Sequence, residues 1–171
     1  MALTARVDGD LALADFTRAE ERDPSIALLY NNRGVTRLAL KQVGLALADF
    51  DEATMLDPDY ANAYYNRAAA YMDLGRHRLA TFHYSRAIAI NPRVAEFYNS
   101  RGLSYAAQHL YDQALADYNR ALDLDEDYAG AYGNRANLYA NTDRMTEALA
   151  DYDRVIALDP EHILAYAGRS E

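Results

Sequence analysis

The four prolines of the chain recur at a fixed interval. Pro24, Pro58 and Pro92 follow one another with a 34-residue period, and Pro160 comes two such periods after Pro92. Glu126 occupies the position where the spacing would place the missing proline. An uninterrupted period of this length is typical of a solenoid, in which each unit buries its apolar face against its neighbours. We therefore expect stacked copies of one 34-residue unit.

Aromatic and small residues recur at the same interval. A first aromatic column contains Tyr30, Tyr64, Tyr98, Tyr132 and Tyr166, a small column contains Gly34, Ala68, Gly102 and Ala136, and a second aromatic column contains Phe16, Phe50, Tyr84, Tyr118 and Tyr152. Small residues at helical intervals allow two helices to approach closely, and the aromatic rings fill the space beside them. The columns therefore predict the packed core of each unit.

Each 34-residue repeat is predicted to form two helices. Residues 27–40 place Tyr30 and Gly34 at helical intervals, and residues 45–57 do the same for a second helix. In that second helix we expect Leu45, Phe50, Ala53 and Leu56 to face inward. A proline directly after Asp57 ends the helix, because the residue before a proline is disfavoured in the α region. The sequence therefore predicts an all-α fold.

At a 34-residue period, the Tyr–small–Tyr pattern of the first helix, the Ala–aromatic–Ala pattern of the second and the closing Asp-Pro resemble the tetratricopeptide repeat. The fullest examples are NAYYNRAAAYMDLG and DQALADYNRALDLD. The resemblance implies a right-handed superhelical solenoid of helix-turn-helix repeats, with the first helices lining a concave groove. It also implies a scaffold or peptide-binding role.

The period divides the chain into repeats of one predicted domain, 1–171. The expected segments are a partial repeat at 1–24, full repeats at 25–58, 59–92, 93–126 and 127–160, and a terminal first helix at 161–171. In the partial repeat we expect the end of a first helix at residues 1–6 and a complete second helix at 10–22.

An arginine precedes the small residue in every repeat, and an acid precedes the second aromatic residue. A partly buried guanidinium needs a carboxylate, since unpaired burial costs several kcal/mol. Pairing each arginine with the acid of the preceding repeat leaves fewer arginines and acids without a partner than pairing within a repeat does. We therefore expect the structural ion pairs Arg33–Asp15, Arg67–Asp49, Arg135–Asp117 and Arg169–Asp151, with His83 interrupting the series. The alternative is a row of arginines that binds an anion.

The resemblance places the other side of the first helices in the groove, where asparagine dominates. The expected peptide-binding residues are Asn31, Asn32, Val35, Asn62, Tyr65, Asn66, Asn99, Leu103, Asn134 and Asn137. An asparagine amide both donates and accepts hydrogen bonds, so such a row can bind the backbone of an extended peptide. The alternative is a solvated polar face with no ligand.

Charge restricts the expected partners. The chain carries 26 acidic and 17 basic residues, a net charge of −9, and Lys41 is its single lysine. A net acidic surface repels nucleic acid and anionic lipid. The predicted groove has no lysine and, apart from the inward-facing column, no arginine, so we do not expect the carboxylate clamp by which some relatives hold chaperone tails. A neutral or basic peptide fits better.

No pattern in the sequence indicates catalysis, a metal or a cofactor. The chain has no cysteine, its four histidines form no metal-binding motif, and no phosphate-binding or nucleophile motif is present. The acidic run at 123–127 lacks the glycine turn of a calcium loop. We therefore expect a non-enzymatic protein without metal or cofactor.

Three further expectations concern assembly and origin. Ile163, Tyr166 and Arg169 lie on a last helix with no second helix after it, so the chain is either a fragment of a longer array or a module that self-associates through its terminal helices. Self-association is the alternative to groove binding as the main function. No signal peptide or membrane-spanning segment is visible, so the compartment is undetermined and cytoplasmic by default. The high ratio of arginine to lysine suggests a GC-rich bacterial source.

Overall fold

The computed structural model describes residues 2–170, with side chains for residues 9–169. This part of the chain contains ten helices and no strand, which confirms the all-α helical repeat fold. The helices are α1 (Ala2–Arg22), α2 (Ala27–Ala39), α3 (Val43–Leu56), α4 (Ala61–Asp73), α5 (His77–Ile90), α6 (Ala95–Ala106), α7 (Tyr111–Leu124), α8 (Ala129–Ala140), α9 (Met145–Leu158) and α10 (Ile163–Ser170). Glu171, in the predicted terminal helix, lies outside the described residues.

The chain divides into two compact units. Unit 1 comprises Met1–Asn91 and unit 2 comprises Pro92–Glu171. In unit 1, α2 packs on α3 and α4 packs on α5, while α1 packs on α2. In unit 2, α6 packs on α7 and α8 packs on α9, while α10 packs on α9. The expectation of one domain over 1–171 stays a prediction.

The first helix differs from the prediction. A break was expected between residues 6 and 10, but α1 runs without interruption from Ala2 to Arg22. Gly9 is the single glycine of this stretch, and one glycine costs about 1 kcal/mol in a helix, too little to end one. No proline occurs there. The predicted second helix at 10–22 is therefore the C-terminal part of a longer helix.

The turns between repeats explain the recurring aspartate before the proline. Asp57 has an extended backbone (φ −133°, ψ 94°), as expected for a residue that precedes proline. Its carboxylate accepts a hydrogen bond from the backbone N–H of Asp59 at 3.0 Å. Asp125 and Asp159 accept from the backbone N–H two positions later in the same way. These aspartates therefore close each turn through a side chain that replaces a backbone carbonyl.

The turns within the repeats share one left-handed residue. Lys41, Gly75, His109 and Asp143 occupy the same position of successive repeats, and all have φ between 59° and 67°. In each turn the next residue donates to the carbonyl five positions earlier, as Gln42 does to Arg37 at 2.8 Å. This bond closes the end of the first helix. Only one of the four repeats places glycine where the conformation favours it.

The predicted columns form the core in both units. Phe50 and Tyr118 are almost fully buried, and their rings lie against the backbone of Gly34 and Gly102, where a Cβ atom would come within 2.6 Å of a ring carbon. Burial raises the pKa of Tyr118. Leu45 is exposed, so the prediction that it faces inward is wrong. Leu56, also predicted to face inward, is exposed as well.

The arginine column pairs within its own repeat. Arg101 donates from Nε and Nη2 to the two carboxylate oxygens of Asp117 at 2.8 and 2.7 Å. Arg135 binds Asp151 in the same way, at 2.7 and 2.8 Å. Each arginine thus makes two parallel charge-assisted bonds, which raise its pKa. Burial of the arginine opposes the rise.

The predicted pairing with the preceding repeat is therefore wrong. The pairs Arg33–Asp15, Arg67–Asp49, Arg135–Asp117 and Arg169–Asp151 are not formed among the described side chains. The two helices of one repeat pack on each other more extensively than either packs on the next repeat. The arginine therefore meets the acid of the second helix that follows it directly in the chain. The alternative of an anion-binding row has no support from these paired arginines.

Contacts with the preceding repeat do occur, but with other residues. Arg67 pairs with Asp51, and Arg169 pairs with Asp153 at 2.8 Å. Arg135 donates to Asn119 in the equivalent position. Each of these partners lies two positions after the predicted acid. The second helix therefore presents one acceptor to its own repeat and another to the next.

Arg33 binds two acids that lie on two different helices. Its guanidinium donates to Oδ1 of Asp49 at 3.0 and 2.8 Å and also binds Glu20 of α1. The bond from Arg33 holds the pKa of Glu20 below its usual value, although burial of Glu20 opposes this. Arg37 lies with Nη1 2.6 Å from Asp49 Oδ2. Asp49 thus serves two arginines of one helix.

His83 takes the place of the acid in the repeat of Arg67. The imidazole is buried and stacks on Tyr71, with ring centroids 5.3 Å apart and planes at 12°. Its Nδ1 and the Nε of Arg67 have no hydrogen-bond partner among the described residues. Burial and the nearby charge of Arg67 lower the pKa of His83 to about 4. The imidazole is therefore neutral at pH 7.

Candidate peptide-binding face

The expected groove residues divide into buried and accessible groups. Asn31 and Asn99 are buried, so the prediction that they line an open groove is wrong. Asn32, Val35, Asn62, Leu103 and Asn137 are exposed, and Tyr65, Asn66 and Asn134 are half-buried. Each unit contributes both groups.

The buried asparagines link first helices of successive repeats. In unit 1, Asn66 of α4 donates to Oδ1 of Asn31 at 2.9 Å, and in unit 2, Asn134 of α8 donates to Oδ1 of Asn99 at 2.9 Å. Asn99 in turn donates to the hydroxyl of Tyr128 at 3.3 Å. A buried amide needs such partners, because an unmade hydrogen bond is costly there. Asn31 and Asn99 therefore hold the first helices together rather than form an open surface.

In unit 2, two residues of the predicted site lie beside cavities. Asn134 and Asn137 of α8 line two cavities, of about 320 Å³ and about 230 Å³. The larger opens towards Leu103 of α6 and the smaller towards Leu164 of α10. We call Asn134, Asn137 and these two leucines the α8 face. It joins two amides to apolar surface on either side.

A tyrosine of the second helix orients one of the amides. The hydroxyl of Tyr152 donates to Oδ1 of Asn137 at 2.7 Å. This bond leaves Nδ2 of the exposed Asn137 without a hydrogen-bond partner within the described part of the chain. Nδ2 of Asn134 donates to Asn99, and no described group donates to Oδ1 of Asn134. The α8 face therefore offers one oriented donor and one acceptor.

Sequence reasoning missed Tyr152 as part of this site, although a signal was present. The second aromatic column changes from phenylalanine at positions 16 and 50 to tyrosine in the later repeats. A buried tyrosine hydroxyl usually requires a partner, which points towards a polar group nearby. Gly130 and Gly133 also line the smaller cavity and contribute no side chain to fill it.

The described residues that line the two cavities of the α8 face include no lysine, arginine, aspartate or glutamate. His162 lines the smaller cavity and His109 the larger. In the described part of the chain, no group of three or more histidine, aspartate or glutamate residues is placed to hold a metal ion. No helix among the described residues is long and apolar enough to cross a membrane. The face is thus built for hydrogen bonds and apolar contact.

Structural comparison finds similar repeat proteins. A thermophilic protein with this repeat, TTC0263 of Thermus thermophilus, has a TM-score of 0.79 and 28% identity over 99% of this chain and 92% of its own. MamA, residues 41 to the end, from Desulfovibrio magneticus RS-1 has a TM-score of 0.82 and 19% identity over 92% and 89%. The first repeat domain of Spaghetti (RPAP3), bound to the HSP90 peptide SRMEEVD, has a TM-score of 0.63 and 24% identity over 64% and 87%.

Sequence comparison identifies the family. No curated protein matches the chain. The tetratricopeptide repeat model matches residues 61–94, 95–128 and 129–162, and a second model described as a TPR repeat matches residues 36–75. Proteins of this family generally act as non-enzymatic scaffolds that bind proteins or peptides. The chain belongs to the tetratricopeptide repeat family.

Proposed function

We propose that the chain is a non-enzymatic interaction module whose α8 face binds an extended peptide segment of a partner protein. The pair of oriented amides between two cavities is the observation that carries the proposal. An extended peptide presents its backbone N–H and C=O groups in alternation, and these match the acceptor of Asn134 and the donor of Asn137. Its side chains project to both sides, where the cavities provide apolar contact.

The two amides bind the peptide backbone, which is the same for every sequence. The cavities, which receive side chains, therefore determine which peptides are preferred. Leu103 and Leu164 provide apolar walls on opposite sides of the asparagines. A peptide with two apolar side chains on either side of an exposed backbone segment fits this arrangement. We therefore expect apolar residues at two positions of a bound peptide and tolerance between them.

Charge distinguishes this proposal from the binding of an acidic tail. The net charge is −9, and the described lining of the two cavities contains no basic side chain except histidine. The net negative charge of the chain disfavours acidic ligands relative to neutral or basic ones. We therefore expect that a peptide like SRMEEVD, which the RPAP3 domain binds, is a poor ligand here.

A selection from a library of displayed random peptides tests the proposal. The bait is the wild-type chain, and the counter-bait is the double variant Asn134→Ala/Asn137→Ala. Peptides enriched on the wild type are expected to lose about tenfold or more in affinity for the counter-bait, since two hydrogen bonds to the ligand are removed. Isothermal titration with synthetic peptides measures the loss.

The matched control is Gln42→Ala/Gln113→Ala, which removes two exposed amides outside the α8 face. This variant is expected to bind the selected peptides like the wild type. Equal loss in both double variants, or enrichment of acidic peptides alone, contradicts the proposal. Replacement of one exposed peptide residue by lysine or glutamate then measures the charge preference.

A further inference from the structure

We propose that a second copy of this chain docks on α10 through its own α1, so that the two helices form a helix pair like those inside the chain. The inference is independent of the peptide-binding proposal. It starts from side chains that are buried in the inner repeats and open in the two outer helices. It commits to one arrangement, in which unlike ends of two copies meet.

The first open surface is on α10. Tyr30 and Tyr98 are buried, whereas Tyr166 of the same column is 40% exposed. The side chain of Arg33 is 10% exposed in the core of unit 1, whereas that of Arg169 is 42% exposed. Both residues of α10 are therefore more exposed than Tyr30, Tyr98 and Arg33 at the same positions of inner repeats.

The second open surface is on α1. Phe16 is only half-buried, although Phe50, Tyr84, Tyr118 and Tyr152 of its column are buried. Ala12 and Ala19 are half-buried too, whereas the corresponding alanines of the next repeat, Ala46 and Ala53, are fully buried. One side of α1 packs on α2. The exposure of its small and aromatic column residues indicates that another helix fits on the other side.

Charge complementarity gives the register of docking. Within the chain, an arginine of the first helix binds the acid of the second helix that follows, as Arg101 binds Asp117 and Arg135 binds Asp151. The repeat period places Asp15 of a second copy in that position relative to Arg169 when α1 of the copy takes the place of the helix after α10. Asp15 is available there, since its side chain is 75% exposed and contacts only an exposed Arg18 at 3.3 Å.

The apolar columns agree with this register. In unit 1, Tyr30 packs in one cluster with Ala53, and in unit 2, Tyr132 packs in one cluster with Val155, which is the equivalent position of that repeat. The same correspondence brings Tyr166 onto Ala19 of the second copy. The charged and the apolar column are therefore both compatible with this alignment. Contacts between unlike ends are heterologous and can continue from copy to copy.

Sedimentation velocity over a concentration series tests the proposal. All variants carry Asp153→Asn, so that a carboxylate introduced at position 169 does not face Asp153. In this background the chain is expected to associate reversibly between about 1 µM and about 1 mM, a range typical of small interfaces. Asp15→Arg and Arg169→Glu, each alone, are expected to weaken association about tenfold or more by placing like charges together.

The double variant Asp15→Arg/Arg169→Glu provides the decisive comparison. It restores an opposite-charge pair only when α1 of one copy meets α10 of another, so association is expected to return to within about threefold of the background. Arg154→Glu makes the same charge change on the exposed surface of α9 and is expected to leave association unchanged. Circular dichroism confirms that each variant is folded; all three positions are solvent-exposed.

A background chain that stays monomeric throughout the series overturns the proposal. So does a double variant that associates no better than either single variant, because docking between like ends gives no rescue in one chain. Equal weakening by Arg154→Glu also overturns it, since the effect would then follow net charge rather than position.

Discussion

The two units differ in which acid pairs with the partly buried arginines of their first helices. In unit 2, Arg101 and Arg135 each bind an aspartate of their own repeat through two parallel bonds. In unit 1, Arg67 meets His83 at the equivalent position and relies on Asp51 of the preceding repeat. A repeat thus tolerates loss of its own acid because the preceding second helix offers another. The cost is that the Nδ1 of the buried His83 and the Nε of Arg67 have no hydrogen-bond partner in the described structure.

The largest expected effect comes from breaking a complete pair in unit 2. Asp117→Ala leaves the largely buried Arg101 without its carboxylate and is expected to lower the free energy of unfolding by about 3 kcal/mol. Urea denaturation at pH 7, followed by circular dichroism, measures the loss. Asp123→Ala, which removes an exposed acid of the same helix, is the control and should cost less than about 0.5 kcal/mol. Equal losses would show that the pair carries no special stability.

The histidine of unit 1 predicts a sensitivity to acid. Its pKa is about 4 in the folded chain and about 6.5 when unfolded, so between these values the unfolded state binds the extra proton. The histidine contribution to stability is therefore complete above about pH 6.5 and is lost as the pH falls towards 4, by about 2 kcal/mol at pH 4.5.

The measurement compares urea denaturation of the wild type and His83→Gln at pH 7 and pH 4.5. The glutamine does not titrate, and carboxylate effects common to both chains cancel in the difference. The wild type should lose about 2 kcal/mol more than the variant on acidification. An identical pH dependence in the two chains would refute a buried neutral histidine at this position.

A smaller gain is expected when unit 1 is given the residue that unit 2 uses. His83→Asp places a carboxylate at the position that faces Arg67 within its own repeat and should raise the free energy of unfolding at pH 7 by about 1 kcal/mol. The gain is limited because the stacking of His83 on Tyr71 is lost. Thermal denaturation of the variant and of His83→Asn separates charge from size: only the aspartate should stabilise.

The smallest effect concerns the extra acceptor of unit 1. Glu20→Ala removes one of the two acids bound by Arg33 and leaves Asp49 in place. The expected loss is below about 1 kcal/mol, because the side chain of Glu20 is partly exposed and the arginine remains paired. Denaturation in urea measures it. A loss as large as that of Asp117→Ala would mean that the contact between repeats, rather than the one within a repeat, stabilises the column.

The period predicted the repeats, the paired helices and the two aromatic columns, because packing between identical units fixes which positions are small or aromatic. It could not fix the partner of each arginine. From Arg135, the acid column lies ahead at Asp151 and behind at Asp117, at nearly equal separations along the chain. The number of groups left without a partner favoured Asp117, but that count contains no information on helix packing. Only the packing of α8 on α9 selects Asp151.

The binding face was predicted less completely. Neighbouring asparagines such as Asn31 and Asn32 look alike in the sequence, yet one is buried between helices and the other is exposed. A shift of one residue on a helix rotates a side chain by about 100°, which decides between the two. The orienting bond from Tyr152 to Asn137 joins two helices, so no local pattern contains it.

A double-mutant cycle tests the own-repeat register most directly, and both the packing of the column and the docking of α1 on α10 depend on it. Arg135→Ala is combined with Asp151→Ala in one cycle and with Asp117→Ala in another, and the coupling free energies are measured by urea denaturation. The register predicts a coupling of about 2 kcal/mol between Arg135 and Asp151 and less than about 0.5 kcal/mol between Arg135 and Asp117. A larger coupling with Asp117 than with Asp151 would contradict it.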